Sequence, residues 1–311
     1  MQEHFADRLT TATRRCGNPV LVGLDPRVAN LPTGLLEDKD TADCQKVAQA
    51  FSQFCRGIVD VVAPLVPAVK PQAAFFEQWG PAGSQALADT IAYSRSKGLV
   101  VIVDGKRNDI GSTATAYAQA YLGPPDQSPW GGDALTVSPY LGDDSLDPFV
   151  NVATERGAGV FVLVKTSNPG GAMFQDLVCD GQPLYRHVAA YVEQLASRTQ
   201  GSGQYGAVGA VAGATYPEQL AELRQAMPHT WFLVPGFGAQ GAGAHDVRDA
   251  FDSDGLGGIV NNSRGIIFAY ERPEYRDRFA AADWQRAVEA ATREMIDQLR
   301  AETPAGNLPQ V

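Results

Sequence analysis

The chain has 311 residues, of which 44% are hydrophobic and 19% are charged, and its formal net charge is -10 at pH 7. This composition is typical of a globular protein with a large core. The acidic balance argues against broad binding to nucleic acid or to an anionic membrane. The N-terminus lacks a hydrophobic signal core and no apolar run is long enough to cross a bilayer, so we expect a cytoplasmic protein without membrane partners.

The four cysteines and four histidines are scattered along the chain. They form no C-x-x-C, H-x-x-x-H or H-E-x-x-H pattern, and these are the spacings that metal sites commonly use. Scattered cysteines are more typical of reduced thiols in the cytoplasm than of a disulfide framework. The sequence therefore predicts no bound metal.

Residues 1–18 are predicted to form an amphipathic helix, and short apolar runs then alternate with longer helix-like segments. The predicted strands are 20–25, 67–71, 99–104, 134–138, 158–165, 207–212, 231–235 and 257–261. The clearest helical segments, which lack internal proline, are 43–60, 84–97 and 184–199. Eight continuously apolar strands favour an α/β fold of the (β/α)8 TIM-barrel type over an open doubly wound sheet.

No repeat or linker divides the chain, so we expect one domain over residues 1–311. A Pro/Gly-rich loop is predicted at 123–132 and a long excursion at 168–183. The segment 301–311 contains two prolines and a glycine with few apolar residues. It is predicted to be a disordered tail.

In a barrel the carboxyl ends of all strands meet at one mouth, where active sites are built. Polar and charged residues concentrate at these predicted ends. They are Asp25, Lys70, Asp104, Lys106, the run 165–169, the run 235–241 and the run 261–265.

The most informative cluster follows the third predicted strand, where Asp104, Lys106 and Asp109 come close together in sequence. Asp104 and Lys106 are two residues apart, so on a strand they point to the same side. Neighbouring carboxylates favour the charged form of a lysine, so Lys106 suits an acid or fixed cation better than a Schiff-base nucleophile. Such a cation can stabilise a developing carbanion and then protonate it, which fits decarboxylation or enolate chemistry without a cofactor.

The last two strand ends predict a phosphate site. Glycines in the run 235–241 allow backbone N–H groups to approach an anion, and Arg264 can grip it through its guanidinium fork. Barrels frequently bind phosphate after the seventh and eighth strands. The loop after the seventh strand, with Gly241 and Gly243, is also the candidate lid.

Six motifs occur in order through most of the predicted barrel. They are G-L-D-P at 23–26, K-P at 70–71, D-x-K-x-x-D-I-x-x-T at 104–113, K-T-S-N-P-G at 165–170, P-G-F-G-A-Q-G at 235–241 and N-S-R-G-I at 262–266. The third is only moderately specific, but the joint set resembles orotidine 5'-phosphate decarboxylase of the longer bacterial-type (type 2) subgroup.

The resemblance implies decarboxylation of orotidine 5'-phosphate to UMP in pyrimidine biosynthesis, with no cofactor. Lys106 would deliver a proton to C6 after CO2 leaves, within a charged array completed by Asp104, Asp109 and Lys70. Asp109 and Thr113 would reach into the site of a partner subunit, which implies a homodimer with shared active sites.

The resemblance also implies a set of substrate-binding residues. They are Asp25, Thr113, Ser167, Pro235, Gly238, Gln240 and Arg264. Asp25 would hold ribose hydroxyls and Ser167 would contact the pyrimidine ring. Gln240 and Arg264 would bind the 5'-phosphate.

Three alternatives stay open. Lys165-Thr166-Ser167 at a strand end also resembles class I aldolases of the deoxyribose-phosphate type, in which the lysine forms a Schiff base. A metal-dependent sugar-phosphate decarboxylase or synthase of the same suprafamily is a second alternative. A non-catalytic nucleotide-binding barrel is the third.

Overall fold

The computed structural model describes residues 3–39, 41–238 and 242–309. Its strands are β1 (Val20–Leu24), β2 (Ala68–Pro71), β3 (Val100–Arg107), β4 (Ala134–Val137), β5 (Gly159–Lys165), β6 (Val178–Cys179), β7 (Gln182–Pro183), β8 (Val208–Ala212), β9 (Phe232–Val234) and β10 (Gly258–Asn262). The short strands β6 and β7 form an antiparallel hairpin. The other eight are parallel and close into a barrel in the order β1-β10-β9-β8-β5-β4-β3-β2.

Helices follow the strands and cover the outside of the barrel. They are α1 (Phe5–Cys16), α2 (Cys44–Val62), α3 (Ala73–Glu77), α4 (Gly80–Ser96), α5 (Gly111–Tyr121), α6 (Asp147–Glu155), α7 (Ala172–Gln175), α8 (Leu184–Arg198), α9 (Pro217–Ala226), α10 (Arg264–Ile267), α11 (Pro273–Arg276) and α12 (Trp284–Glu302). The predicted TIM barrel is confirmed. Over the described ranges, no helix has the length and apolarity that a bilayer crossing requires.

The strands close into a barrel because they are mostly apolar, with their charged residues near the carboxyl ends, and are covered on both sides. All five residues of β1 and all five of β8 are buried. Each predicted strand overlaps an observed one, and the main difference is β3, which extends to Arg107. The barrel closes where β1 pairs with β10, with Val20 opposite Val260.

The N-terminal helix α1 covers the end of the barrel opposite the mouth. Phe5 is buried and its ring meets that of Phe161 edge to face, with 5.9 Å between centroids. Gly159 makes this contact possible, since a Cβ there would lie 2.2 Å from the Phe5 ring. The same end holds the buried carboxylate of Asp133, which accepts hydrogen bonds from Arg8 (2.6 Å) and Arg95 (2.5 Å). These contacts fix α1 and α4 against the strands.

The C-terminal segment differs from the loose tail that composition predicts for 301–311. In the described part, α12 ends at Glu302 and a short 3-10 helix follows at Pro304–Asn307. The Thr303 side chain accepts the Ala305 N–H at 3.1 Å, and Leu308 is buried in the main core. Ala305 is buried in the same core, so this end of the chain packs against the barrel.

Candidate active site

A cavity of about 340 Å³ opens at the mouth of the barrel, within the size range of small-molecule sites. The residues lining it come from the carboxyl ends of the strands and the loops that follow. The sequence-predicted residues among them are Asp25, Lys70, Asp104, Lys106, Ser167, Pro235 and Arg264. The structure therefore brings together most of the residues that the motifs single out.

Other predicted residues do not line this cavity in the described part of the chain. Asp109 is half-buried and its carboxylate accepts the N–H of Ile110 at 2.8 Å. Thr113 is exposed on α5, and Gly238 is exposed in the loop after β9, where its N–H donates to the Ala242 carbonyl at 2.8 Å. Gln240 lies outside the described residues, as does Gly241 of the candidate lid.

The carboxylate of Asp104 is the centre of the polar network in the cavity. Its Oδ1 accepts hydrogen bonds from Lys106 Nζ at 2.5 Å and Thr136 Oγ1 at 3.0 Å. Its Oδ2 accepts hydrogen bonds from Lys70 Nζ at 2.7 Å and Gln72 Nε2 at 2.9 Å. Each oxygen thus takes one charged and one neutral donor, which fills the usual capacity of an ionised carboxylate.

Opposite charges keep this network ionised although it is buried. Burial would raise the pKa of Asp104, but the charges and hydrogen bonds of Lys70 and Lys106 outweigh it and hold this pKa well below 3.8. Burial would lower the pKa of Lys70, but the negative charges of Asp104 and Asp25 outweigh it and raise this pKa above its ordinary value. The side chain of Lys70 is 5% exposed and that of Lys106 is 48% exposed. Of the two cations, Lys106 is therefore the one that a ligand can reach.

The opposite wall of the cavity is built by the loops after β9 and β10. Gly236 has φ 104°, a left-handed conformation that favours glycine, and it follows Pro235 directly after β9. Arg264 begins α10 and is exposed, and it forms no ion pair with any residue that the structure describes. Its guanidinium is consequently available to an anionic ligand.

Several buried polar atoms around the cavity have no hydrogen-bond partner among the described residues. Those on lining residues are Asp25 Oδ1, Arg27 Nε and Asn261 Oδ1. Leaving such a group unpaired costs about 1–3 kcal/mol. A polar ligand that supplies partners to these atoms would offset that cost, so this side of the cavity suits a hydroxylated molecule.

Sequence reasoning missed three polar residues of the cavity. Gln72 lies two residues after Lys70, so strand alternation could have placed it on the same side. Thr136 is the polar residue inside the buried strand β4, which is a weak signal because threonine also fits strands by its shape. Arg27 stacks on the Phe75 ring at 5.0 Å, and nothing in the local sequence predicts this contact.

Lys165 does not point into the cavity, which weighs against the class I aldolase alternative. Its side chain is 2% exposed and forms an ion pair with Asp176. Its ammonium lies 5.1 Å from the ring centroids of both Tyr185 and Tyr216. A register shift between Leu163 and Lys165 in the pairing of β5 with β8 turns this lysine away from the interior. Lys165 therefore holds the loop that follows β5 through Asp176. A Schiff-base lysine would instead have to face the substrate.

The charge balance of Asp104 makes a testable prediction about stability. Asp104→Asn should lower the free energy of unfolding at pH 7 by about 3–5 kcal/mol, because Lys70 would stay buried without the carboxylate that it contacts. The pKa of Asp104 is lowered in the folded protein, so its contribution is complete above the ordinary value of 3.8 and is lost as pH falls below it. Urea unfolding of both proteins between pH 7 and pH 3 measures this difference. The exposed loop variant Asp126→Asn is the control, and a difference that does not change with pH would contradict the prediction.

Comparison with known proteins identifies the family of this chain. A model of the orotidine 5'-phosphate decarboxylase / HUMPS family matches residues 19–277. The orotidine 5'-phosphate decarboxylase of Rhodopirellula baltica is 57% identical over 298 residues, covering 95% of this chain and 99% of that protein. The enzyme of the same name from Caldicellulosiruptor bescii is 37% identical, covering 96% of this chain and 98% of that protein.

The solved structure of Leishmania donovani OMP decarboxylase is also similar. It has a TM-score of 0.72 and 33% identity, covering 96% of this chain and 98% of that one. The family model spans the whole barrel, and every motif that carried the resemblance falls within it. The chain belongs to the orotidine 5'-phosphate decarboxylase / HUMPS family.

Proposed function

We propose that this protein decarboxylates orotidine 5'-phosphate to UMP in pyrimidine biosynthesis, by direct loss of CO2 and without a metal or organic cofactor. The bond between C6 and the carboxylate breaks, and its electron pair remains on C6. Lys106 stabilises this carbanion-like centre and transfers a proton from Nζ to C6. The observation that carries the proposal is the Asp104 carboxylate held between two ammonium groups on one wall of a cavity whose other wall presents Arg264.

The different exposures of the two lysines support different roles for them. Lys106 reaches the cavity with nearly half of its side chain exposed, so it can be the proton donor. Lys70 is buried against Asp104 and keeps that carboxylate ionised. Asp104 then orients the ammonium of Lys106 and places negative charge near the substrate carboxylate, which favours its departure as CO2.

The loops around the cavity suit the rest of the nucleotide. Arg264 and the glycine turn after β9, with Pro235, Gly238 and Gln240, bind the 5'-phosphate. The unpartnered Oδ1 of Asp25 accepts hydrogen bonds from ribose hydroxyls. Ser167 contacts the pyrimidine ring. Phosphate binding far from C6 supplies remote binding energy for closing the loop that includes Gly243.

The position of Asp109 and Thr113 supports a homodimer with shared sites. Both residues lie outside the cavity of their own chain, at the start of α5. The neighbouring apolar side chains Ile110, which is 57% exposed, and Tyr117 face outward. Exposed apolar side chains beside charged ones are typical of an association surface. In a cytoplasmic homodimer, Asp109 of each subunit would complete the charge array of the other.

The proposed chemistry predicts the effect of removing the proton donor. Lys106→Ala should lower kcat for orotidine 5'-phosphate by roughly 10²- to 10⁴-fold, the usual contribution of a general acid. Absorbance loss on adding this substrate measures the rate, both without and with EDTA. An inactive wild type or an equally fast alanine variant would refute the proposal. Wild-type activity that EDTA abolishes would instead favour the metal-dependent alternative.

The proposed phosphate site makes a separate prediction about binding. Arg264→Ala should raise KM by about 10- to 100-fold with a smaller change in kcat, because a hydrogen bond to a charged group contributes about 1.5–3 kcal/mol. Calorimetry should show the same loss for UMP but little loss for uridine, which has no phosphate. Arg248→Ala, an exposed arginine away from the cavity, is the control. Equal losses for UMP and uridine would argue against this role.

The shared site can be tested by mixing two inactive variants. Lys106→Ala and Asp109→Ala proteins, unfolded together and refolded, should recover about a quarter of wild-type activity, since half of the dimers are mixed and each contains one intact site. Each variant refolded alone is the control. No recovery in a mixture that has formed mixed dimers would mean that Asp109 acts within its own chain.

A further inference from the structure

Lys106 has an unusual backbone conformation for a residue in a strand. Its φ is 45°, in the left-handed region that non-glycine residues adopt only at a cost of about 1–2 kcal/mol. The pairing of β3 with β4 shifts register here, since Val103 pairs with Leu135 and the next pair is Arg107 with Val137. Three residues of β3 therefore lie opposite the single residue Thr136, as in an extended bulge.

Thr136 supplies the contacts that hold this bulge. Its hydroxyl accepts a hydrogen bond from the backbone N–H of Lys106 at 2.9 Å and donates one to Asp104 Oδ1 at 3.0 Å. The residue is 1% exposed, so water would not readily replace either contact. A hydroxyl can donate and accept at the same time, which a valine of the same shape cannot do.

The same Asp104 oxygen also accepts the side-chain ammonium of Lys106. Backbone and side chain of Lys106 are thus tied to one carboxylate, the first through Thr136 and the second directly. This closes a ring of hydrogen bonds around the strained residue. A regular strand would give Lys106 a backbone partner on β4 instead, and would direct its side chain differently.

We propose that Thr136 is a positioning residue, whose hydroxyl fixes the strained backbone of Lys106 and thereby places the ammonium for proton delivery. The inference rests on the proposed decarboxylation. A displacement of about 1 Å at a reacting group can slow a reaction by about 10²-fold. Thr136 acts through Lys106 and Asp104, so the residues that hold the phosphate and ribose keep their positions without it.

The test is the comparison of Thr136→Val with Thr136→Ser. We expect Thr136→Val to lower kcat for orotidine 5'-phosphate by about 10- to 100-fold while KM changes by less than about threefold. Thr136→Ser keeps the hydroxyl, so its kcat should lie within about threefold of wild type. UMP should bind wild type and Thr136→Val equally by calorimetry. Thr292→Val is the matched control, since it removes another buried hydroxyl, one bonded to the Val288 carbonyl within α12.

Several outcomes would overturn the inference. They are an unchanged kcat in Thr136→Val, a serine variant as slow as the valine variant, and a loss confined to KM. If Thr136→Val does not fold, Thr136→Cys against Thr136→Ser makes the same comparison, because a thiol is a much weaker hydrogen-bond partner. Failure of the proposed function is distinguishable, since the wild type itself would then leave orotidine 5'-phosphate unchanged.

Discussion

The geometry of the barrel mouth depends on the buried carboxylate of Asp104. Its donors come from β3 itself, from β4 and from the end of β2, so one side chain ties three neighbouring strands together. A buried ionised carboxylate without such partners would cost several kcal/mol. The array can therefore exist only when β2, β3 and β4 are paired in register. The strand pairing of the fold and the charge array of the cavity therefore depend on the same carboxylate.

Much of this architecture could be predicted from the sequence, for a simple geometric reason. Continuous apolar strands separated by helical segments indicate a parallel barrel, and in a barrel every strand ends at the same mouth. A residue such as Lys70 or Asp104 needs only to lie near the carboxyl end of its strand to be placed in the cavity. Residues far apart in sequence, from Asp25 to Arg264, could therefore be assigned to one site without any contact information.

What could not be predicted lies where the strands depart from regular alternation. Lys165 lies two residues after the cavity-lining Leu163, yet a register shift turns it outward. Simple alternation correctly placed Lys106 and Asp104 on the same side of β3. It could not predict the bulge that gives Lys106 its left-handed backbone. Thr136 was missed because a threonine in a buried strand has the shape of a valine. The order of the C-terminal end depends on contacts of Leu308 with distant parts of the core.

The seam of the barrel has a consequence for how the protein is made. β1 is synthesised early but its partner β10 comes last, because Val20 pairs with Val260. Contacts so distant in sequence form late and slowly. During translation β1 must keep an open edge until β10 has emerged from the ribosome. Asp25 and Arg264 flank this seam, so the nascent chain can assemble the lysine–aspartate array of β2 and β3 before these two cavity-lining residues come together.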